Sequence, residues 1–201
     1  MSVTIRSPYL DSPDAFWMAG NLHTHSTRSD GLMSPQDTIR AYAGLGHQFF
    51  ALSDHNTVPN LAGLDPCGMV LIPANEISGA YGHVLALGDS SPMERNQEQQ
   101  ETIDSIVRAG CMPVLCHPDW GETFNHYTIE QLLGLHNYAG IEIYNGSIEE
   151  DPGSSCSTCK WDQLLTQRRI VWGLATDDAH NSPGFGRGMC VVQVRERTAA
   201  A

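Results

Sequence analysis

The chain has 201 residues, enough for one domain with a sizeable core, and its 41% hydrophobic and 17% charged residues are ordinary for a globular protein. Its formal charge is −12, from 11 basic and 23 acidic residues, which repels a long polyanion and argues against an extended nucleic-acid surface. No apolar run approaches the roughly 18 residues of a membrane span, and the opening MSVTIRSPYLDSPDAFW lacks the basic-then-apolar order of a signal peptide, so a cytoplasmic location with no membrane partner is expected.

Along the chain, apolar strand-like runs alternate with helix-like stretches. Trp17–His23 reads as the first strand. Ser34 is a good N-cap with Pro35 at the first helical position, which predicts a helix to about Leu45, before Gly46. Strands follow at Phe49–Ser53, Met69–Ala74 and His83–Leu87. A helix over Met93–Ala109 stops at Gly110. Then come strand Pro113–Cys116, helix Thr128–His136, strand Gly140–Tyr144, helix Lys160–Arg168, and strands Ile170–Ala175 and Met189–Val194. This order predicts an α/β fold with a mostly parallel sheet. Glu149–Thr158 is the one linker-like piece, and it is too short to separate domains, so residues 1–201 are expected to form a single domain.

Among the six cysteines, Cys111, Cys116 and Cys190 lie in apolar runs and read as reduced core residues. Cys67 matches no motif. Cys156 and Cys159 form a lone CxxC in a polar loop. With no second CxxC to complete a zinc site, they read as an exposed thiol pair.

The stretch NLHTHSTRSDG places His23 and His25 two apart at a strand end, where alternation aims both imidazoles to one side. Other strand candidates carry similar groups at or near their ends: Asp54-His55, Asn75-Glu76, His117, Glu142 within Gly140–Tyr144, and Asp177-Asp178 with His180. In α/β barrels and open sheets, strand C-termini converge on one face, where active sites lie. Together these residues read as one site assembled from separate strands. Imidazole and carboxylate donors suit Zn, Mn or Fe. Nine candidate ligands (His23, His25, Asp30, His55, Glu76, His83, His117, Asp178 and His180) exceed the needs of one ion and fit two or three divalent ions sharing a bridging carboxylate.

NLHTHSTRSDG, LSDHNT, NEISGAYGHVLALG, LCHP and TDDAH, in this order from about Trp17 to Gly188, resemble the successive motifs of PHP-domain (polymerase and histidinol phosphatase) metallohydrolases. The resemblance implies a distorted TIM-like (β/α)7 barrel with seven parallel strands and, in most members, phosphoesterase activity. It also implies the ligand sets. His23, His25, Glu76 and Asp178 would hold one ion. Glu76 would bridge to a second, held with His117 and His83. Asp30, His55 and His180 would hold a third. Glu142 is left open between a metal-facing role and hydrogen bonding elsewhere. Asp54 and Asp177 read as groups that orient their neighbours, and His47, His126 and His136 as surface or packing residues.

Divalent ions lower the pKa of bound water toward about 7, and a pair of them can clamp the oxygens of an in-line displacement at phosphorus. With three carboxylate ligands, three ions would leave the site near +3 and two ions near +1, so an acidic protein can still attract a small anionic, phosphorylated substrate. Arg187, in SPGFGRG, and Arg28 are the candidate phosphate clamps. His180, His83, Asp177 or a water could act as general acid. Asp119–Thr128 and Gly146–Lys160 are the only roomy loops, which predicts an open pocket. Trp120, Phe124 and Tyr127 read as packing residues, with stacking on a base or sugar as the alternative. Two competing readings stay open: hydrolysis of a carboxylic ester, carbamate or amide, and a non-catalytic metal-binding module.

Overall fold

The computed structural model describes residues 13–57, 60–88 and 98–199. In chain order these form β1 (Phe16–Asn21), α1 (Pro35–Gly44), β2 (Phe49–Leu52), β3 (Val70–Ile77), β4 (Val84–Leu87), α2 (Gln99–Arg108), β5 (Met112–Leu115), α3 (Ile129–Gly134), β6 (Gly140–Asn145), α4 (Thr158–Thr166), β7 (Trp172–Thr176) and β8 (Cys190–Val194). All eight expected strands are present. The Ser34 hydroxyl caps α1 by accepting from the Asp37 N–H at 3.2 Å, with Pro35 behind it. α3 opens on a capping box, in which Thr128 and Gln131 each bond the other's backbone N–H. α2 begins at Gln99; the first part of the helix expected from Met93 lies outside the described residues. None of the described helices is long and apolar enough to cross a membrane.

The strands form one sheet in the order β7-β6-β5-β4-β3-β2-β1-β8. The sheet curls into a nearly closed barrel. β8 meets β7 where the Cys190 thiol donates to the Ala175 carbonyl at 3.2 Å, and where Gly188 lies so close to Thr176 that any side chain there would collide with its backbone. A distorted TIM-like barrel is therefore the fold, with one departure from the seven parallel strands that the resemblance implies. Six strands (β1, β2, β3, β5, β6 and β7) run together, while β4 and β8 are antiparallel to both partners or to β1. The cause is chain length. Only residues 78–83 join β3 to β4, too few for a crossover of a dozen residues or more, so β4 must return antiparallel.

Side-chain alternation then sorts two main cores. Leu85 and Leu87 of β4 join Met18, Val114, Cys116, Leu174 and Val194, a cluster without helical residues that fills the barrel interior. Val84 and Ala86 face the other way, onto Ile103 and Ile106 of α2, Leu132 of α3 and Leu164 of α4. A smaller cluster seats Ile39 and Tyr42 of α1 on Phe50 and Leu52 of β2. Cys111 and Cys116 are buried as expected and Cys190 is half-buried, whereas Cys156 and Cys159 are exposed free thiols. The residues read as linker-like are paired into the fold, through Trp120 with Gly153 and Tyr144 with Cys156.

Candidate metal centre

The residues singled out by type and spacing meet at one end of the barrel. Past β1 the chain stays extended because Thr24 pairs with Ala179 and the His25 N–H donates to the Ala179 carbonyl at 3.0 Å. His23 and His25 therefore project together, just beyond the strand rather than within it, with their Nε2 atoms 3.2 Å apart. Glu76, near the end of β3, and Asp178, just past β7, come in from the other side. Asp178 Oδ1 lies 3.1 Å from His23 Nε2 and 2.9 Å from His25 Nε2, and Glu76 Oε2 lies 3.2 Å from both. All four residues are buried. Asp178 and His117 reach the site with φ values of +51° and +32°, a backbone region costly for residues with a Cβ, so the fold accepts local strain at both of these groups.

Five of the six distances among these four donor atoms lie at 2.9–3.2 Å, spacings that suit a tetrahedral set around one ion. Edges near 3.2 Å place the corners about 2 Å from the centre, the distance at which imidazole and carboxylate bind zinc and similar divalent ions. The Glu76 carboxylate also carries an oxygen, Oε2, that is buried without a hydrogen-bond partner among the described residues, as is His55 Nδ1, 3.0 Å away. Buried polar atoms are rarely left unpaired unless a ligand satisfies them. The residues present thus fit a divalent cation.

Glu76 faces two ways. Its Oε1 lies 2.9 Å from His83 Nδ1 and 3.3 Å from His117 Nε2. His83 arrives here because β4 is reversed: its N-terminal end, not its C-terminal end, lies on the face where the other strands finish. A third group is looser. His25, His55 and His180 approach Asp30 at 3.7, 3.5 and 3.4 Å, and the Asp30 side chain is 54% exposed.

A layer of acceptors and donors aims these side chains. Glu142, fully buried in β6, accepts the His23 Nδ1–H at 2.7 Å, which leaves the Nε2 lone pair facing the tetrahedron. It also accepts from the His117 N–H, the Asn145 amide and the Thr176 hydroxyl. Glu142 therefore orients histidines and does not itself face the centre. The Asn145 amide reaches Asp178 as well, at 3.1 Å. Asp54 accepts from the Ser26 N–H and hydroxyl and the Ser29 hydroxyl, fixing the loop that carries Asp30.

Charge balance follows from this packing. Burial alone would lower the pKa of His25, but Asp178 and Glu76 outweigh it and raise it to about 9. His23 is driven up for the same reasons, with Glu142 contributing. Burial would raise Glu76, yet His23, His117 and His25 hold it well below the usual carboxylate range. In the absence of a metal, protons take the place of the cation that this field favours.

Several sequence expectations meet a different geometry. Asp177 is buried and its carboxylate accepts from the Tyr42 hydroxyl and the N–H groups of Gly186 and Gly188, so it ties a loop to α1. Arg187 donates to the Gly146 carbonyl at 3.0 Å and pairs with Glu150, and it lines a small cavity together with His180. Arg28 is exposed on the Asp30 loop. Conversely, His126, read as a packing or surface residue, stands beside His83 and His117, with ring centroids 4.9 and 4.7 Å away. It accepts the His83 N–H on Nε2 at 2.9 Å, and burial, then the charges of His117 and His83, lower its pKa to about 3. Its loop is placed by long-range contacts, and no local pattern in the sequence marks it.

No protein-family model and no curated protein matches this sequence. Solved structures do. A two-domain protein from Bacteroides vulgatus containing a predicted PHP-like metal-dependent phosphoesterase superposes with a TM-score of 0.69 at 20% identity, over 98% of this chain and 65% of that one. The chain has the PHP-type fold. Two more structures share it: an amidohydrolase from Chromobacterium violaceum with bound sulfate and no metal (TM-score 0.63, 16% identity, 84% of this chain and 90% of that one), and a candidate metal-dependent phosphoesterase from Bifidobacterium adolescentis (0.62, 16%, 83% and 89%). The chain spans less than two thirds of the Bacteroides protein, so the PHP-type fold is what these likenesses establish.

Proposed function

We propose that the protein is a metal-dependent hydrolase that cleaves a small phosphoester. The observation that carries this reading is the tetrahedron of His23, His25, Glu76 and Asp178, whose bridging glutamate turns its second oxygen toward His83 and His117. Two ions would be held on either side of Glu76, and a third more loosely by Asp30, His55 and His180. Nitrogen and carboxylate donors favour Zn, Mn or Fe. When bound, such ions supply an ionised water near neutral pH and positive charge for phosphoryl oxygens.

The chain's own residues hold and aim. Glu142 fixes the His23 tautomer, Asn145 couples Glu142 to Asp178, and Asp54 positions the Asp30 loop. His180 donates its Nδ1–H to the Asp178 carbonyl at 2.9 Å, so its Nε2 lone pair faces Asp30. Burial and then the His25 charge lower its pKa, which favours a ligand over a proton donor. A cavity of about 200 Å³ opens onto the cluster between Asp30, Trp120, Ile148 and Asp151, large enough for a phosphoryl group. The substrate is expected to be a small anion, with no extended nucleic acid.

The likeness to an amidohydrolase favours a second reading, hydrolysis of a carboxylic ester, carbamate or amide. A panel of phosphomonoesters, phosphodiesters and aryl esters, assayed with zinc, manganese or iron, separates the two. Metal-dependent release of inorganic phosphate is the expected result. Cleavage of the aryl ester alone would replace the phosphoester reading with the second one.

A further inference from the structure

Beside the metal-facing cavity lies a larger one, of about 660 Å³, and the two share His83 and Trp120 in their walls. Its floor is the buried Tyr127 and its sides include Tyr81, Gln99, Asn125 and His126. None of the described residues lining it is acidic, lysine or arginine. The neighbouring cations are committed elsewhere. The chain's single lysine, Lys160, donates to the carbonyls of Pro118, Phe124 and Tyr127 and pairs with Asp119 at 2.6 Å. Arg169 is engaged by the carbonyl of the lining residue Leu135 and by His136 Nδ1 at 3.2 Å.

The wall is firmly built. Lys160 ties down the loop carrying Trp120 and His126, and that loop is joined to the next by the Gly121 N–H to Pro152 carbonyl bond at 2.8 Å. His126 accepts on Nε2, so the neutral ring carries its hydrogen on Nδ1 and offers a donor rather than a ligand lone pair. Trp120, half-buried, presents a flat apolar surface between the two cavities.

We propose that this cavity receives the leaving group, and that it selects an uncharged one carrying a flat ring. The inference rests on the hydrolase reading and adds the substrate class. In the reaction, the bond from phosphorus to the leaving oxygen breaks, a water oxygen bonds to phosphorus, and a proton from that water ends on the leaving oxygen, giving an uncharged alcohol and inorganic phosphate. The ring stacks on Trp120. A second anionic group on the substrate meets no lysine or arginine among the described lining residues and is disfavoured in a protein of charge −12.

Calorimetric titration of the zinc-loaded protein with benzylphosphonate, ethylphosphonate and 4-carboxybenzylphosphonate tests this without turnover. Benzylphosphonate is expected to bind about ten-fold tighter than ethylphosphonate, and the carboxylate to cancel that advantage. Trp120→Ala should bring the benzyl-to-ethyl ratio close to one. Asn125→Lys, which adds a cation to the wall, should favour the carboxybenzyl compound. Zinc content, measured directly, checks that both variants keep their ions. Equal affinities for the benzyl and ethyl compounds, or a preference for the carboxylate in the unaltered protein, would overturn the inference. Turnover of benzyl and ethyl phosphates separates the two claims. Equal binding with turnover of both leaves the hydrolase reading standing and removes this one. Ring-selective binding without turnover of either phosphate removes the hydrolase reading and the leaving-group assignment with it, leaving only a ring-binding cavity, and failure of every phosphonate to bind removes both readings.

Discussion

The inner and outer parts of the site are built from the same residue types and differ in every physical respect. Inside, His23, His25, Glu76 and Asp178 are buried, their donor atoms stand 2.9–3.2 Å apart, and Glu142 and Asn145 brace them. Outside, His55 and His180 approach an Asp30 side chain that is 54% exposed, at 3.4 Å or more. On the proposed reading, preorganisation and low solvent access would let the inner site hold a cation most tightly and leave the outer one to exchange.

The largest effect is expected at the residue shared by both sides of the inner site. Glu76→Ala should remove more than one equivalent of metal and reduce kcat/KM by roughly a thousand-fold or more, as measured by metal analysis and steady-state kinetics. Full metal content in this variant would break the distinction between inner and outer ligands. Next comes a residue that touches no ion. Glu142→Ala frees the His23 tautomer and should weaken metal affinity by about 10- to 100-fold in a competition titration with a chelator, with the fold retained by circular dichroism.

Proton release sharpens the contrast in another way. In the metal-free protein His25 has a pKa of about 9, above the unfolded value of 6.5. Its contribution to metal-free stability is fully present below 6.5 and is lost as pH rises through about 9. The metal-free Tm should therefore fall across that window, the Tm of the loaded protein should not, and metal binding within it should release protons detectable by calorimetry in two buffers. The smallest effect belongs to the outer group. Asp30→Asn should weaken only the last ion to bind, by about ten-fold, and leave the inner content unchanged by metal analysis.

Much of this was legible in the sequence because strand ends carry their chemistry locally. HTH after β1, Glu76 near the end of β3, His117 after β5 and Asp178 after β7 each follow an apolar run, and alternation decides their direction. The reversal of β4 was also present, in the short spacing between two strands, but a resemblance implying parallel strands pointed the other way. Partnerships across the chain were not legible. That Arg187 is held by Glu150, that Asp177 anchors Gly186 and Gly188, and that Lys160 fixes the loop bearing His126 depend on contacts 9 to 42 residues apart, and spacing does not encode them.

The most direct test is an anomalous difference map, at the zinc edge, from crystals grown with zinc. The strongest peak should lie among His23 Nε2, His25 Nε2, Glu76 Oε2 and Asp178 Oδ1. Zinc bound at full occupancy elsewhere, with only solvent among these four atoms, would contradict the central claim.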